Sequence, residues 1–349
     1  MSAEVAISTQ NLKSILIIQL RRLGDVLMIT PAIRALRLAY PNARIDVLTE
    51  RPSQQLLENN PYITEIISVP AKRTLRENFA LTLRLRKKHY DLAIDFNGLP
   101  SSAILSKISG SKHTLGINHR GRGLLYSLRI PFPASKYSAQ NKIDMLSSLG
   151  ISTSQCGLDF FVSQQDKQWA KQTLSALGVQ DTDFLVTLSP VSRQPYKVWP
   201  AQNFAAVADY LVKKFGARIL FVFGPGEECF VNDVKKHMHT NALSTDYPMP
   251  SLGQTKALFE HAKLHIGNDN GPAHFAIAAG IAVITIFGEP KSENWTPPNN
   301  PKVCALEHNP GCKNNCTYPN CKLECLTGTS AEAVCLTAEN LIAQEHLVS

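Results

Sequence analysis

The chain has 349 residues, 44% of them hydrophobic, with 36 Lys and Arg against 28 Asp and Glu and a net charge of +8. That length suggests about two domains at ~100–200 residues each, and the apolar content is enough to fill real cores. No apolar run reaches the ~18 residues that span a membrane, and the first residues lack a basic stretch leading into an apolar one. No signal peptide is therefore expected, and the protein should stay in the cytosol.

Residues 14–20, SILIIQL, have a buried-strand pattern. A tight turn, Arg21-Arg22-Leu23-Gly24-Asp25, leads into a helix over 26–39. Its apolar residues Val26, Ile29, Ile33 and Leu36 share one face, and Pro31 is placed to kink it. Asp25 thus stands at the carboxyl end of the first strand, where open α/β sheets hold their ligand chemistry. Taken alone, it better suits a helix cap. Strands at 44–48, 63–69, 91–96 and 113–116 then alternate with helices at 53–59, 79–89 and 102–109. The helix over 79–89 is basic and amphipathic, and Arg120-Gly121-Arg122-Gly123 reads as a flexible basic loop. This alternation predicts a mostly parallel sheet with helices on both faces. A helix over 141–150 leads out, and 151–165 has no clear period, so the domain boundary falls there.

The second half repeats the alternation. A helix over 168–177 is closed by Gly178, Asp181-Thr182-Asp183 reads as a turn, and 184–189 is a strand. The loop after it, SPVSRQPYKVWP, offers Ser192, Arg193 and Lys197 as phosphate donors. A helix over 203–215 and a strand over 218–223 end in Gly224-Pro225-Gly226-Glu227-Glu228. With no third glycine this is a weak dinucleotide signal, whereas a carboxylate just past a strand suits ribose hydroxyls. After a helix over 254–262 comes the most informative stretch, 264–288, LHIGNDNGPAHFAIAAGIAVITIFG. It reads as strand, turn, helix and buried strand, with Pro272 in the first helical turn and Gly280 at the stop. A helix starting at Asn270-Gly271-Pro272 aims free N–H groups and a positive dipole end above the sheet edge, which is an anion site suited to phosphate. His274, on the first turn, would add a charged or donating imidazole. The same residues also suit an ordinary connection capped by Asp269 or Asn270.

The positive balance points to an anionic partner, whether nucleic acid, lipid headgroups or a phosphorylated acceptor, or to a solvated basic surface. Six of the eight cysteines crowd the end: Cys304, Cys312, Cys316, Cys321, Cys325 and Cys335. The run Cys312, Cys316, Cys321, Cys325 is close to zinc spacing but lacks the longer loop between pairs. Thiols or oxidised pairs are expected there in preference to structural zinc. The tail from Ser330 reads as an amphipathic helix.

Four motifs in order, RRLGDVLMITPAIRAL after the first strand, K-x-W after a mid-chain strand, GPGEE, and GNDNGPAHFAIAAG-x-x-V-x-x-x-FG, resemble the family 9 glycosyltransferases, the ADP-heptose:lipopolysaccharide heptosyltransferases. The resemblance spans about 14–341. It implies a GT-B fold: two Rossmann-like domains facing across a cleft, an acceptor domain over 1–160, a nucleotide-sugar domain over 161–329, and a helix over 330–349 returning to the first domain. It implies Asp25 as general base for the acceptor hydroxyl, which overrides the capping reading. Lys197 becomes a contact to the diphosphate or sugar, Glu227 a ribose ligand, Asp269, Asn270 and Gly271 the diphosphate loop, and His274 its partner; Ser192 and Arg193 align less closely.

That set suits a metal-independent inverting transfer. A carboxylate serves one face of the sugar, and donors serve the leaving diphosphate, each worth ~3–4 kcal/mol. The implied reaction moves heptose from ADP-L-glycero-D-manno-heptose to a lipid A-linked Kdo core at the inner membrane face, with no cofactor and no nucleic acid. Arg21, Arg22, Lys72, Arg73, Arg120 and Arg122 are the candidate acceptor contacts. Transfer of another activated sugar is the alternative, with a non-catalytic sugar-binding protein behind it. A nicotinamide oxidoreductase is disfavoured because Gly24 stands alone where three glycines are expected.

Overall fold

A computed structural model describes residues 12–131, 137–288, 292–312 and 318–348. The chain forms two compact units, Met1–Phe161 and Val162–Ser349.

The first unit runs β1 (Ser14–Ile18), α1 (Leu23–Leu27), α2 (Thr30–Ala39), β2 (Arg44–Glu50), β3 (Glu65–Val69), α3 (Leu75–Arg86), β4 (Leu92–Asp95), α4 (Pro100–Ile108), β5 (His113–Ile117), β6 (Leu128–Ile130) and α5 (Ser138–Asp144). Its six strands, in the order β3-β2-β1-β4-β5-β6, pair in parallel throughout. This is the doubly wound order in which the chain reverses direction between β1 and β4. Both central strands are buried, which accounts for their near-continuous apolar sequence.

The helix expected over 26–39 is two helices. Pro31 has no N–H for the Leu27 carbonyl, and the Thr30 hydroxyl takes that carbonyl instead at 2.8 Å. Thr74 and Glu77 form a capping box, so α3 starts four residues earlier than its apolar period suggests. The stretch predicted as a helix over 53–59 is a 3-10 turn, Arg51–Leu56. Strand β6 is a three-residue edge strand with no sequence signal of its own.

The second unit runs α6 (Gln164–Ala176), β7 (Leu185–Ser189), α7 (Ala201–Phe215), β8 (Arg218–Phe221), α8 (Glu228–His237), α9 (Leu252–His261), β9 (Leu264–Asn268), α10 (Gly271–Ala279), β10 (Ala282–Phe287), β11 (Val303–Glu307), α11 (Glu324–Thr327) and α12 (Ala331–Gln344). The strand order is β11-β10-β9-β7-β8, again all parallel. The reversal here lies between β7 and β9. Strands β7, β9 and β10 are buried along their whole length.

The terminal helix α12 seats Val334, Ala338, Leu341 and Ile342 in the core of the second unit, with α7 and the β-sheet. Those four side chains form one helical stripe, and the α7–sheet core supplies the matching surface.

One packing constraint sits beside the first reversal. Asp95, at the end of β4, is fully buried and accepts hydrogen bonds from the Tyr126 hydroxyl at 2.7 Å, Ser102 at 2.9 Å, and the N–H groups of Asn97 and Gly98 at 3.0 Å each. Burial pushes its carboxyl up, and these four donors oppose the shift. The Tyr126 ring lies over Gly116, where a Cβ would come within 2.3 Å of it. Gly116→Ala should therefore lower stability by ~1–3 kcal/mol through overpacking. Urea unfolding checks this, and an unchanged midpoint would mean that the ring is not held there.

Candidate functional site

In the second unit the site grows from the β9–α10 connection. Asn270 is the N-cap of α10: its Oδ1 accepts from the Ala273 N–H at 3.1 Å. Its Nδ2 donates to Ser189 Oγ at 3.0 Å and to the Val191 carbonyl at 2.8 Å. The side chain of Asn270 is thus committed to building the turn, leaving the backbone as what Asn270 could offer a ligand. Gly271 differs. It begins α10, and an added Cβ would meet only the Phe275 ring, at 3.8 Å. The fold does not require glycine there, so its missing side chain keeps open the space over the helix N-terminus.

Lys197 reaches Asp269 in an ion pair whose members are 17% and 6% exposed. Lys197 lies in the loop after β7, held by its neighbour Trp199. The Trp199 N–H donates to Asn268 Oδ1 at 3.0 Å, its indole N–H donates to the Thr329 carbonyl at 2.9 Å, and its ring is fully buried. The K-x-W spacing is therefore mechanical: the tryptophan anchors and the lysine projects.

His274 is buried, and its ring sits 5.9 Å from that of Trp295. Its Nδ1 has no hydrogen-bond partner among the described residues. Burial lowers its pKa, Asp269 opposes the shift and Lys197 adds to it. Of the two forms expected from sequence, the neutral, donating imidazole is the one this site favours. Trp295 carried no sequence signal, because only the tertiary fold brings it to the helix.

Glu227 lies past β8 and folds back, its Oε2 accepting from the Gly224 N–H at 2.8 Å. A small apolar cavity lined by Val222, Phe223, Tyr247, Met249 and Leu258 opens beside the same strand end. Ser192 accepts from the Gln194 N–H at 3.2 Å, and Arg193 is exposed. The structure thus brings Lys197, Asp269, Asn270, Gly271 and His274 together at one strand end, whereas Glu227 stands at the end of β8.

In the first unit Asp25 lies on α1, directly after β1. The turn that presents it is strained: Arg21 and Arg22 have φ of 80° and 45° without being glycine. Because the strands are parallel, the loops after β1, β3 and β5 open on one edge. Arg21, Arg22, Lys72, Arg73, Arg120 and Arg122 all lie on that edge with Asp25. Arg73 is partly spent on its own loop, donating to Asn78 Oδ1 at 2.9 Å and to the Pro70 carbonyl at 2.9 Å.

The residue that sequence reasoning missed is Lys142. It comes from α5, donates to the Phe96 carbonyl just past β4, and lies 5.9 Å from the Phe96 ring. Burial lowers its pKa, while Asp25 and Asp95 pull it back up. No motif marked it, since α5 reaches the reversal point only through tertiary packing.

Of the cysteines, Cys312, Cys321 and Cys325 are half-buried, and Cys316 lies outside the described residues. Among the described residues no three His, Cys, Asp or Glu side chains are placed to hold a metal.

The model of glycosyltransferase family 9 (heptosyltransferase) matches residues 78–326. Lipopolysaccharide heptosyltransferase 3 of Escherichia coli (strain K12) is 28% identical over 295 residues, which cover 78% of this chain and 82% of that protein. A family 9 glycosyl transferase from Veillonella parvula DSM 2008 superposes with a TM-score of 0.82 at 25% identity, over 97% of this chain and 99% of that one. The E. coli ADP-heptose lps heptosyltransferase II does so at 0.76 and 21% identity, over 95% and 99%. The two parallel-sheet α/β units of this chain have the GT-B fold, in which these structures are its neighbours. The chain belongs to glycosyltransferase family 9, the heptosyltransferases.

Two outcomes follow from the geometry. Lys197→Met leaves the nearly buried Asp269 without its cation and should cost ~1–3 kcal/mol; Asp269→Asn in the same chain should restore part of that. Additive effects in thermal unfolding would show that the pair is not coupled. Gly271→Ala should leave stability unchanged or raise it by up to ~1 kcal/mol, while weakening ADP binding about tenfold or more in calorimetry; equal affinity would mean that no ligand approaches this backbone.

Proposed function

We propose that this enzyme transfers heptose from ADP-L-glycero-D-manno-heptose to the lipopolysaccharide inner core, with inversion at the anomeric carbon. The carrying observation is the α10 N-terminus, kept open at Gly271 and flanked by Lys197 and His274. That combination suits the leaving diphosphate of a nucleotide sugar. The names of its relatives, lipopolysaccharide heptosyltransferases 1, 2 and 3, support heptose as the transferred group and lipopolysaccharide core as the acceptor.

In this reading the acceptor hydroxyl, on Kdo or heptose, attacks the anomeric carbon as its proton passes to the Asp25 carboxylate. The bond from the anomeric carbon to phosphate breaks, and its electron pair leaves on ADP. Lys197, the N–H groups of the first turn of α10 and a neutral donating His274 receive the developing charge. The apolar cavity beside β8 takes the base, and Glu227 exchanges its internal hydrogen bond for ribose hydroxyls. The basic edge of the first unit takes the anionic core. No described helix is long and apolar enough to cross a membrane, so a lipid A-linked acceptor implies peripheral contact with the inner membrane from the cytoplasmic side. In this reading the donor is the only small molecule required, with no nucleic-acid partner, and the cysteines stay thiols or oxidised pairs without structural zinc.

The test is ADP release from ADP-heptose with a Kdo–lipid A acceptor. Release should require the acceptor and fall ~10²–10⁴-fold in Asp25→Asn. A fully active Asp25→Asn would leave Asp25 as a carboxylate in the first turn of α1, where Arg22 is the N-cap, and not the base. Lys142→Met gives a second readout. Losing a cation beside a carboxylate disfavours its ionised form, so the acid limb of kcat/KM should move to higher pH. An unmoved limb would mean that Lys142 serves only the Phe96 carbonyl.

A further inference from the structure

The helices α3 and α4 leave an apolar row outside the core. On α3, Leu75, Phe79 and Leu83 follow one another at four-residue spacing and are 90%, 66% and 43% exposed. On α4, Ile104 and Ile108 repeat the spacing at 51% and 36%. The two helices are neighbours, because Arg86 Nε donates to the Ile108 carbonyl at 3.0 Å. Only Leu81 and Leu85 of α3 face inward as buried residues. The helix thus exposes more large apolar side chains than it buries, and the exposed ones fall on one stripe at four-residue spacing. Scattered single exposures need no explanation, but three on one helical stripe do.

Charge identifies what covers it. Exposed Arg76, Arg86, Lys87 and Lys107 are interleaved with the row. Arg76, Lys87 and Lys107 have no ion-pair or hydrogen-bond partner among the described residues. The single acid of α3, Glu77, is turned into the cap, accepting from the Thr74 N–H at 2.7 Å and its hydroxyl at 2.9 Å. Apolar anchors of Leu and Phe ringed by unneutralised Arg and Lys are the composition of a helix that lies in a bilayer interface. Position agrees. Helix α3 begins at the carboxyl edge of the sheet, directly after Lys72 and Arg73, and α4 begins at the same edge after β4. A bilayer on this face would deliver a lipid-anchored acceptor to the edge that carries Asp25.

We propose that α3 and α4 form a docking face for an anionic lipid bilayer, with Leu75, Phe79 and Leu83 entering the headgroup–acyl boundary and Arg76, Lys87 and Lys107 meeting lipid phosphates. The proposal rests on the reading of the acceptor as membrane-anchored and adds the surface that meets the membrane.

The test is flotation of the full chain with vesicles of phosphatidylcholine, alone or with about one quarter phosphatidylglycerol. The wild type should bind the anionic vesicles and not the neutral ones, and binding should weaken with salt. The double variant Phe79→Ser, Leu83→Ser should lose at least about tenfold in partitioning, and Arg76→Glu, Lys87→Glu should lose as much. Circular dichroism checks that the variants are folded. Turnover of a lipid-free Kdo oligosaccharide should be unchanged in all of them. Equal partitioning of variant and wild type would overturn the proposal, as would a wild type that ignores anionic vesicles. Conversion of a wild-type dimer to a monomer by Phe79→Ser, Leu83→Ser in lipid-free sedimentation would also overturn it, assigning the face to a second copy of the chain. Absence of any heptose transfer together with intact vesicle binding would sink the functional reading and leave the docking face standing.

Discussion

One buried amide organises the second unit. Asn268 ends β9 and accepts from the Trp199 N–H at 3.0 Å, while its Nδ2 points to the Val191 carbonyl at 3.4 Å. Two residues on, Asn270 donates to the same Val191 carbonyl and to Ser189. Together they staple the loop after β7 to the turn after β9, across the line where the strand order reverses. Without that staple, the loop from Pro190 to Pro200, with three prolines and only one short 3-10 turn, has no reason to hold one conformation. With it, Trp199 is fixed, and Lys197 is fixed two residues away against Asp269. Between the strands themselves, the buried Thr187 hydroxyl of β7 meets His265 Nδ1 of β9 at 3.0 Å, one paired polar contact among strands otherwise made of Val, Leu and Ile.

The two units solve the same problem with different topologies. The first follows the order 3-2-1-4-5-6, and the second, numbered within itself, the order 2-1-3-4-5. In each, neighbouring strands lead to loops that diverge at the reversal, leaving a crevice that no connection crosses. Asp25 and Lys142 gather at one such point, Lys197 and Asp269 at the other. Parallel strands put every strand-to-helix loop of a unit on one edge, so residues more than a hundred positions apart, such as Arg21 and Arg122, share that edge with no direct contact. Topology, more than any local motif, determines which residues belong to one site.

What was legible in the sequence follows from this. Strands β1, β7, β9 and β10 are buried on both faces, so their apolar runs were unambiguous, and Gly280, with φ of 77°, marked the end of α10 as expected. The turn at Asn270 was legible because capping and anion binding use the same atoms. Strands β6 and β11 were not: both are edge strands, three and five residues long, and β11 is only half-buried, so neither shows a clean period. Helix α8 buries only Val231 and Val234, too few apolar positions to show a clear period. Lys142 and Trp295 escaped because their roles are set by which elements pack together, a property that no spacing along the chain encodes.

The charge balance at the α10 N-terminus has a consequence for turnover. Lys197 brings one positive charge, Asp269 cancels it, and burial favours neutral His274. Attraction for a diphosphate in the donor site we propose then comes from the helix N-terminus and directed hydrogen bonds, with Lys197 drawn from Asp269 only as negative charge grows on the leaving group. An uncompensated lysine would hold substrate and product diphosphates alike, which lowers KM without raising kcat. A lysine shared with Asp269 binds most strongly where the charge is greatest, on the breaking bond, and Asp269 competes for it again when ADP departs. In the donor site we propose, the buried carboxylate that looks unsuited to phosphate would therefore favour the transition state over the bound ground states.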